Sequence, residues 1–167
     1  MCTSASLIDF EKYTSDIGAD RICTSIGAAF YYGAPVCVID MGTATTFSLI
    51  SKDRIYQGGL IMPGIGTLFK SLSSFTSQLP EIQMKEAPST FLGQNTQENI
   101  LNGIYYLALE GLSGIIGRIK KENPEVKTVA TGGWSNIFNK IYDFTDENLI
   151  FKGMGTIYFN QIKQKGG

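Results

Sequence analysis

The stretch Val36-Cys37-Val38-Ile39-Asp40-Met41-Gly42-Thr43-Ala44-Thr45-Thr46-Phe47 places one carboxylate, one glycine and three threonines between two apolar, strand-like runs. A strand that ends in Asp and turns through Gly-Thr presents backbone N–H groups and hydroxyls at the edge of a sheet. Such an edge holds phosphate oxygens, or phosphate together with a cation, without a lysine. An ordinary β-hairpin turn draws on the same residue types, so the pattern alone leaves both outcomes open. A second group, Gly18-Ala19-Asp20-Arg21, opens an apolar segment with helical spacing. A helix of about 15 residues runs about 22 Å, and a strand of about six residues returns about 20 Å. Asp40 is therefore expected to finish near Asp20. In a first helical turn the dipole keeps Asp20 ionised, which suits a base that takes a proton from a hydroxyl. It equally suits a solvated surface aspartate beside a solvated arginine.

The remaining candidates are weaker. Thr96 stands at a helix start, where its hydroxyl and the nearby amides can donate to a ligand or simply accompany the Asn95 cap. Thr131-Gly132-Gly133 lets backbone approach a ring or a ribose, or makes a plain strand-to-helix turn. Trp134 follows those glycines and can flank a base. Tyr31, Tyr32, Tyr105 and Tyr106 read most simply as core or interface aromatics. The 167 residues contain no histidine. Any general base must then be a carboxylate, and a Ser-His-Asp triad or a histidine metal site is excluded.

The elements that must position these groups follow from periodicity and punctuation. Asp16 is expected to cap a helix over residues 17–32, with Ile22, Ile26, Ala29 and Phe30 on one face and Gly33 and Pro35 ending it. Strands are expected at 36–39, 45–51 and 55–61. Gly58-Gly59 and Pro63-Gly64 bend the chain away from this meander. Residues 65–79 have helical spacing (Leu68, Phe69, Leu72, Phe75), and 80–91 form an irregular connection. Asn95 and Glu98 make a capping box for a long helix over 96–122. Gly111, Gly114 and Gly117 lie inside that helix, each costing roughly 1 kcal/mol relative to alanine, so something is expected to pack very close there, either another element or a second subunit. A strand at 126–131, a helix at 135–142, a strand at 149–151 and a helix at 153–164 complete a mixed α/β order, one sheet covered by helices.

Composition narrows the partners. A hydrophobic content of 43% over 167 residues suffices for one substantial core. Fourteen basic against fifteen acidic residues, with no basic stripe, argue against nucleic acid or an anionic membrane as the main partner. No uninterrupted apolar run approaches the ~18 residues of a spanning helix, and the N-terminus lacks the pattern of a signal peptide. Cys2, Cys23 and Cys37 have no metal-like spacing and fit reduced thiols in a cytoplasm.

Five blocks together resemble the type III pantothenate kinases, the Bvg accessory factor family. They are Gly18-Ala19-Asp20-Arg21, Ile39-Asp40-Met41-Gly42-Thr43-Ala44-Thr45-Thr46, Gly58-Gly59-Leu60-Ile61-Met62-Pro63-Gly64, Gly93-Gln94-Asn95-Thr96 and Ala130-Thr131-Gly132-Gly133. The resemblance implies an α/β, actin-like, ribonuclease-H-like fold, mostly its second subdomain, with residues 1–15 a remnant of the connection from a first subdomain and 16–167 the C-terminal one. It implies ATP-dependent phosphorylation of pantothenate, the first step of coenzyme A biosynthesis, in the cytoplasm. On this resemblance Gly18, Ala19, Asp20, Arg21 and Thr96 contact pantothenate, with Asp20 as proton acceptor. Gly42, Thr43, Gly132 and Gly133 serve ATP, which carries magnesium, and Asp40 binds a monovalent cation, potassium or ammonium. A homodimer is implied, with the substrate site near its interface. The family's Asp-x-Gly-Asn-Thr phosphate loop does not occur in these residues. The alternative is a catalytically inactive remnant that binds pantothenate or dimerises.

Overall fold

The structure, a computed structural model, describes residues 7–11, 16–75, 79–80 and 82–165. Cys2, much of the stretch 1–15 and the 76–78 part of the expected 65–79 helix lie outside the described residues. Helix α1 (Ala19–Tyr31) leads into strands β1 (Val36–Met41), β2 (Ala44–Ile50) and β3 (Tyr56–Pro63). Helices α2 (Ile65–Phe75) and α3 (Thr96–Glu122) follow. The chain then forms β4 (Lys127–Thr131), a 3-10 turn at Ser135–Phe138, β5 (Phe144–Thr145) and α4 (Leu149–Lys165). Among the described residues the strands form one sheet in the order β3-β2-β1-β4-β5. The first three run antiparallel, and β4 and β5 join parallel to β1.

Alternation along β1 divides the core. Val36 and Val38 face a cluster with Ile26, Ala28 and Ala29 of α1 and Leu149 of α4. Cys37, Ile39 and Met41 face a second cluster built from α2, α3 and Phe138. Helices α1 and α4 therefore cover one face of the sheet, and α2 and α3 cover the other. On the first face the α1 and α4 backbones touch: a Cβ on Gly153 would lie 1.8 Å from the Cys23 carbonyl oxygen, and one on Gly27 2.7 Å from that of Leu149.

Several expectations are corrected. Asp16 does not cap α1; Gly18 holds that position without a side-chain cap bond, and the helix begins at Ala19. Phe30 is 56% exposed and Phe75 89% exposed, so neither belongs to a buried helix face. Gly58 and Gly59 do not bend the chain out of the sheet, because they pair with Leu49 and Ser48 inside β3. Residues 135–142 form only a 3-10 turn over Ser135–Phe138, and 149–151 is the start of α4 rather than a strand. A short apolar run such as Leu149-Ile150-Phe151 has no period that separates strand from helix. Here Asp146 decides it: its Oδ1 accepts from the Asn148 N–H and its carbonyl from the Leu149 N–H, which starts the helix. Finally, among the described residues nothing packs on Gly111, Gly114 or Gly117, since a Cβ at each would meet open space. Of the two causes expected for those glycines, no other element among the described residues supplies one.

Candidate functional site

Strand β1 carries Asp40 one residue before its end, on the face shared by Val36 and Val38, which is the α1 face. The register sets Asp40 opposite Thr46 on β2 and beside Thr131 on β4. A carboxylate and two hydroxyls thus stand in a row across three strands, about 5 Å apart. Thr46 was absent from the sequence candidates; the two-residue alternation that places it beside Asp40 was its available signal. Asp40 is partly buried and has no hydrogen-bond partner among the described residues. Its pKa is raised, first by burial and then by the charge of Asp20. The structure therefore brings the two carboxylates into one electrostatic neighbourhood.

Asp20 is exposed on the first turn of α1, and its Oδ1 accepts from the Arg21 N–H at 2.8 Å. Gly18 makes room for it, because a Cβ there would sit 2.4 Å from that oxygen. Ala19, also exposed, begins the helix between them. The carboxylate is accessible and anchored through one oxygen at the start of the helix.

The β1–β2 connection is a hairpin, and its turn is pinned. The Thr43 carbonyl accepts from the Gly64 N–H at 3.0 Å and from the Thr67 hydroxyl at 2.7 Å. Gly64 packs so tightly that a Cβ would lie 2.2 Å from the Gly42 carbonyl oxygen. Gly132 closes the same rim from the end of β4, with φ at +87° and no space for a Cβ against the Met41 backbone. Asp40, Gly42, Thr43 and Gly132 thus share one edge. Gly133 is exposed beside them. Trp134 turns toward α2 and lines a cavity of about 280 Å³ with Gly66, Phe69, Lys70, Met84 and Lys85. The two lysines carried no motif in the sequence.

Arg21 departs from the picture of a solvated cation. It is only 7% exposed. Its Nε donates to Ser48 Oγ at 3.2 Å, and Nη2 donates to the Phe47 carbonyl at 2.9 Å and Tyr56 Oη at 2.6 Å. No carboxylate lies within ion-pair distance of it among the described residues. Gly59 permits this crossing, because a Cβ there would stand 2.6 Å from Nη2 and 1.8 Å from the Phe47 oxygen. Arg21 ties α1 to β2 and β3 while retaining an unneutralised charge near Asp20.

Thr96 is not brought to this edge. It is the first residue of α3, behind Asn95, whose Oδ1 accepts from the Glu98 N–H at 3.0 Å. It lines a cavity of about 330 Å³ with Leu72, Asn99 and Gly103, on the opposite face of the sheet from α1. Cys37 is excluded as a nucleophile, since burial pushes its thiol up to about 12. No group of three or more His, Cys, Asp or Glu side chains suited to a metal occurs among the described residues.

Residues 7–118 match the family model described as type III pantothenate kinase. The chain belongs to the type III pantothenate kinase family. A type III pantothenate kinase of Bifidobacterium animalis subsp. lactis is 43% identical over 148 residues, covering 87% of this chain and 58% of the relative. That of Brevibacillus brevis is 36% identical over 151 residues, covering 88% and 59%. The chain thus spans somewhat under three fifths of the length of these relatives. Among solved structures, a Baf family transcriptional activator from Campylobacter jejuni superposes with a TM-score of 0.64 at 26% identity, covering 96% of this chain and 72% of that one. The activator of 2-hydroxyisocaproyl-CoA dehydratase from Clostridium difficile, solved with ADPNP, gives 0.51 at 14% identity over 89% of this chain and 69% of that one, a likeness of fold. The fold is the α/β, actin-like, ribonuclease-H-like one that the family resemblance implies.

Proposed function

We propose that this chain is the pantothenate- and cation-binding part of a type III pantothenate kinase, acting in the cytoplasm on the path to coenzyme A. The observation that carries this reading is that the charge of Asp20 acts on Asp40, the carboxylate at the strand end beside Gly42. Asp20, exposed at the start of α1, accepts the proton of the terminal hydroxyl of pantothenate as that oxygen attacks phosphorus. Arg21, buried with three hydrogen bonds and no counterion, offers its charge to the anionic vitamin, and Gly18 and Ala19 keep the approach open. Asp40, partly buried and lacking a hydrogen-bond partner, suits a potassium or ammonium ion held with the Thr46 and Thr131 hydroxyls. Thr43, Gly42, Gly132 and Gly133 line the rim where phosphate oxygens of ATP would lie. ATP with magnesium supplies the phosphoryl group and the charge neutralisation that such transfers depend on. Trp134, Lys70 and Lys85 offer a wall and positive charge on the α2 face of the sheet, across from Asp40. Thr96 sits behind the sheet, so its contact with pantothenate requires the Thr96 of a second copy, which favours a homodimer.

In a second reading the chain binds pantothenate and dimerises without transferring phosphate. A coupled kinase assay with pantothenate, ATP, magnesium and potassium separates the two. It is run with and without the N-terminal segment of a relative, alongside calorimetry of pantothenate binding. Turnover in either format, lost in Asp20→Asn, supports the kinase. Binding without turnover in both supports the second reading, and the absence of both overturns the two together.

A further inference from the structure

Arg21 is held by more of the fold than a cation at a helix start needs. Its Nε donates to Ser48 Oγ, and its Nη2 donates to the Phe47 carbonyl and to Tyr56 Oη. A guanidinium carries one hydrogen on Nε and two on each terminal nitrogen, so Nε and Nη2 are fully committed. Nη1 has no partner among the described residues. Ser25 Oγ is the one sealed side-chain polar atom left unpartnered among those residues, so Nη1 still reaches solvent. Three acceptors thus pin the planar group from one side and leave one nitrogen able to donate to a ligand.

Two irregularities of β3 serve this contact. Ser48 pairs with Gly59 and Leu49 with Gly58, but Ile50 pairs with Tyr56, so Gln57 is an extra residue in the ladder. Side chains alternate along a strand; in an unbroken ladder Gln57 would share the α1 face with Gly59, and Tyr56 would point the other way. The bulge turns Tyr56 over, into the cluster with Ile26, Val38 and Ile50. There its ring lies 5.3 Å from that of Phe10, and the Arg21 Cζ stands 5.8 Å from its centre. Tyr56 is 1% exposed, so the phenol cannot swing aside. The second irregularity is Gly59, whose missing Cβ leaves room for Nη2. Neither is needed to join α1 to the sheet, because Ile26, Ala28 and Ala29 already pack on Val36, Val38 and Ile50. Burying a charge without a counterion costs stability, and an anion arriving from outside offsets that cost.

We infer that Tyr56 is a positioning residue for carboxylate recognition: its hydroxyl, with Ser48 in support, fixes the Arg21 guanidinium so that Nη1 meets the carboxylate of a bound ligand. The inference rests on the proposed function for the identity of that ligand as pantothenate. It adds the residue that sets the preference for the anion over a neutral analogue, since a fork already held in one orientation loses little freedom on binding. The test follows the Arg21 side-chain N–H signals by NMR in the 167-residue chain. The probes are pantothenate, its analogue with a primary alcohol in place of the carboxylate, propionate and propanol. Both carboxylates should shift the Arg21 signals, and both alcohols should leave them in place. Tyr56→Phe keeps the ring and removes the hydroxyl. It should weaken carboxylate binding about tenfold and leave binding of the pantothenate alcohol unchanged. Ser48→Ala leaves the aromatic packing intact and should act in the same direction by a smaller factor, which keeps the test open if Tyr56→Phe does not fold. A purely structural Tyr56 would lower the melting temperature and leave the carboxylate-to-alcohol ratio at its wild-type value, overturning the inference. Arg21 signals that answer to neither carboxylate would overturn it too. A propionate response weakened in Tyr56→Phe, with none to pantothenate in either chain, upholds the inference and sinks the vitamin reading alone.

Discussion

Asp20, on the first turn of α1, acts electrostatically on Asp40 at the end of β1, adding to burial in raising the Asp40 pKa above its ordinary value. A folded carboxylate with a raised pKa binds its proton more tightly than the unfolded chain does. Its contribution to stability is therefore favourable at low pH and is lost as pH climbs from the ordinary carboxylate value through the raised one. Asp40→Asn should flatten that part of the pH–stability curve and raise stability at neutral pH. Asp20→Asn should lower the Asp40 pKa only in part, because burial, the larger cause, remains. Carboxyl-carbon NMR titration of Asp40 in both chains measures this directly. An Asp40 that titrates at the same pH with and without Asp20 would remove the coupling.

A bound cation would relieve the same penalty. Whatever binds the folded state alone raises its apparent stability by RT ln(1 + [L]/Kd). Replacing a large organic cation with potassium at constant ionic strength should therefore raise the melting temperature of the wild-type chain and leave Asp40→Asn unmoved. An equal potassium response in both chains would take Asp40 out of the cation site.

Arg21 yields a prediction about stability. Its guanidinium satisfies Ser48 Oγ, the Phe47 carbonyl and Tyr56 Oη, so truncation removes three bonds and strands buried partners. Arg21→Met should cost about 3 kcal/mol, seen as a lower urea midpoint with unchanged slope. Arg21→Lys retains the charge but lacks the branched geometry and should recover only part of the loss. A neutral Arg21→Met would mean that water replaces all three bonds.

The sequence made the convergence of positions 20 and 40 legible because helix rise, strand rise and the intervening turn suffice to bring the chain back. The Asn95–Glu98 capping box was equally plain, since it is a local bond between residues three apart. The burial of Arg21 was not legible. Its partners lie 26 to 35 residues away, and the Gly59 that admits it reads locally as a turn signal. Glycine was only partly legible. Gly111, Gly114 and Gly117 meet open space among the described residues of this chain, while Gly27 and Gly153, which bring two helix backbones together, stood in unremarkable surroundings. A glycine's own neighbours in sequence say that a side chain is missing and cannot say what occupies its place.

The α1–α4 contact supplies an internally controlled test of that point. Gly153 and Gly155 are two residues apart in one helix and share the intrinsic propensity penalty, yet a Cβ at 153 would meet the Cys23 carbonyl oxygen at 1.8 Å while one at 155 meets nothing within 4 Å. Alanine at 155 should therefore add up to about 1 kcal/mol through propensity. Alanine at 153 must push two helix backbones apart and should cost about 3 kcal/mol, the upper end of ordinary overpacking. In a chain of this size that lowers the melting temperature by roughly 6–12 °C. Scanning calorimetry of the two single variants gives opposite signs if backbone contact governs position 153. Matching shifts would mean that α4 moves freely on α1.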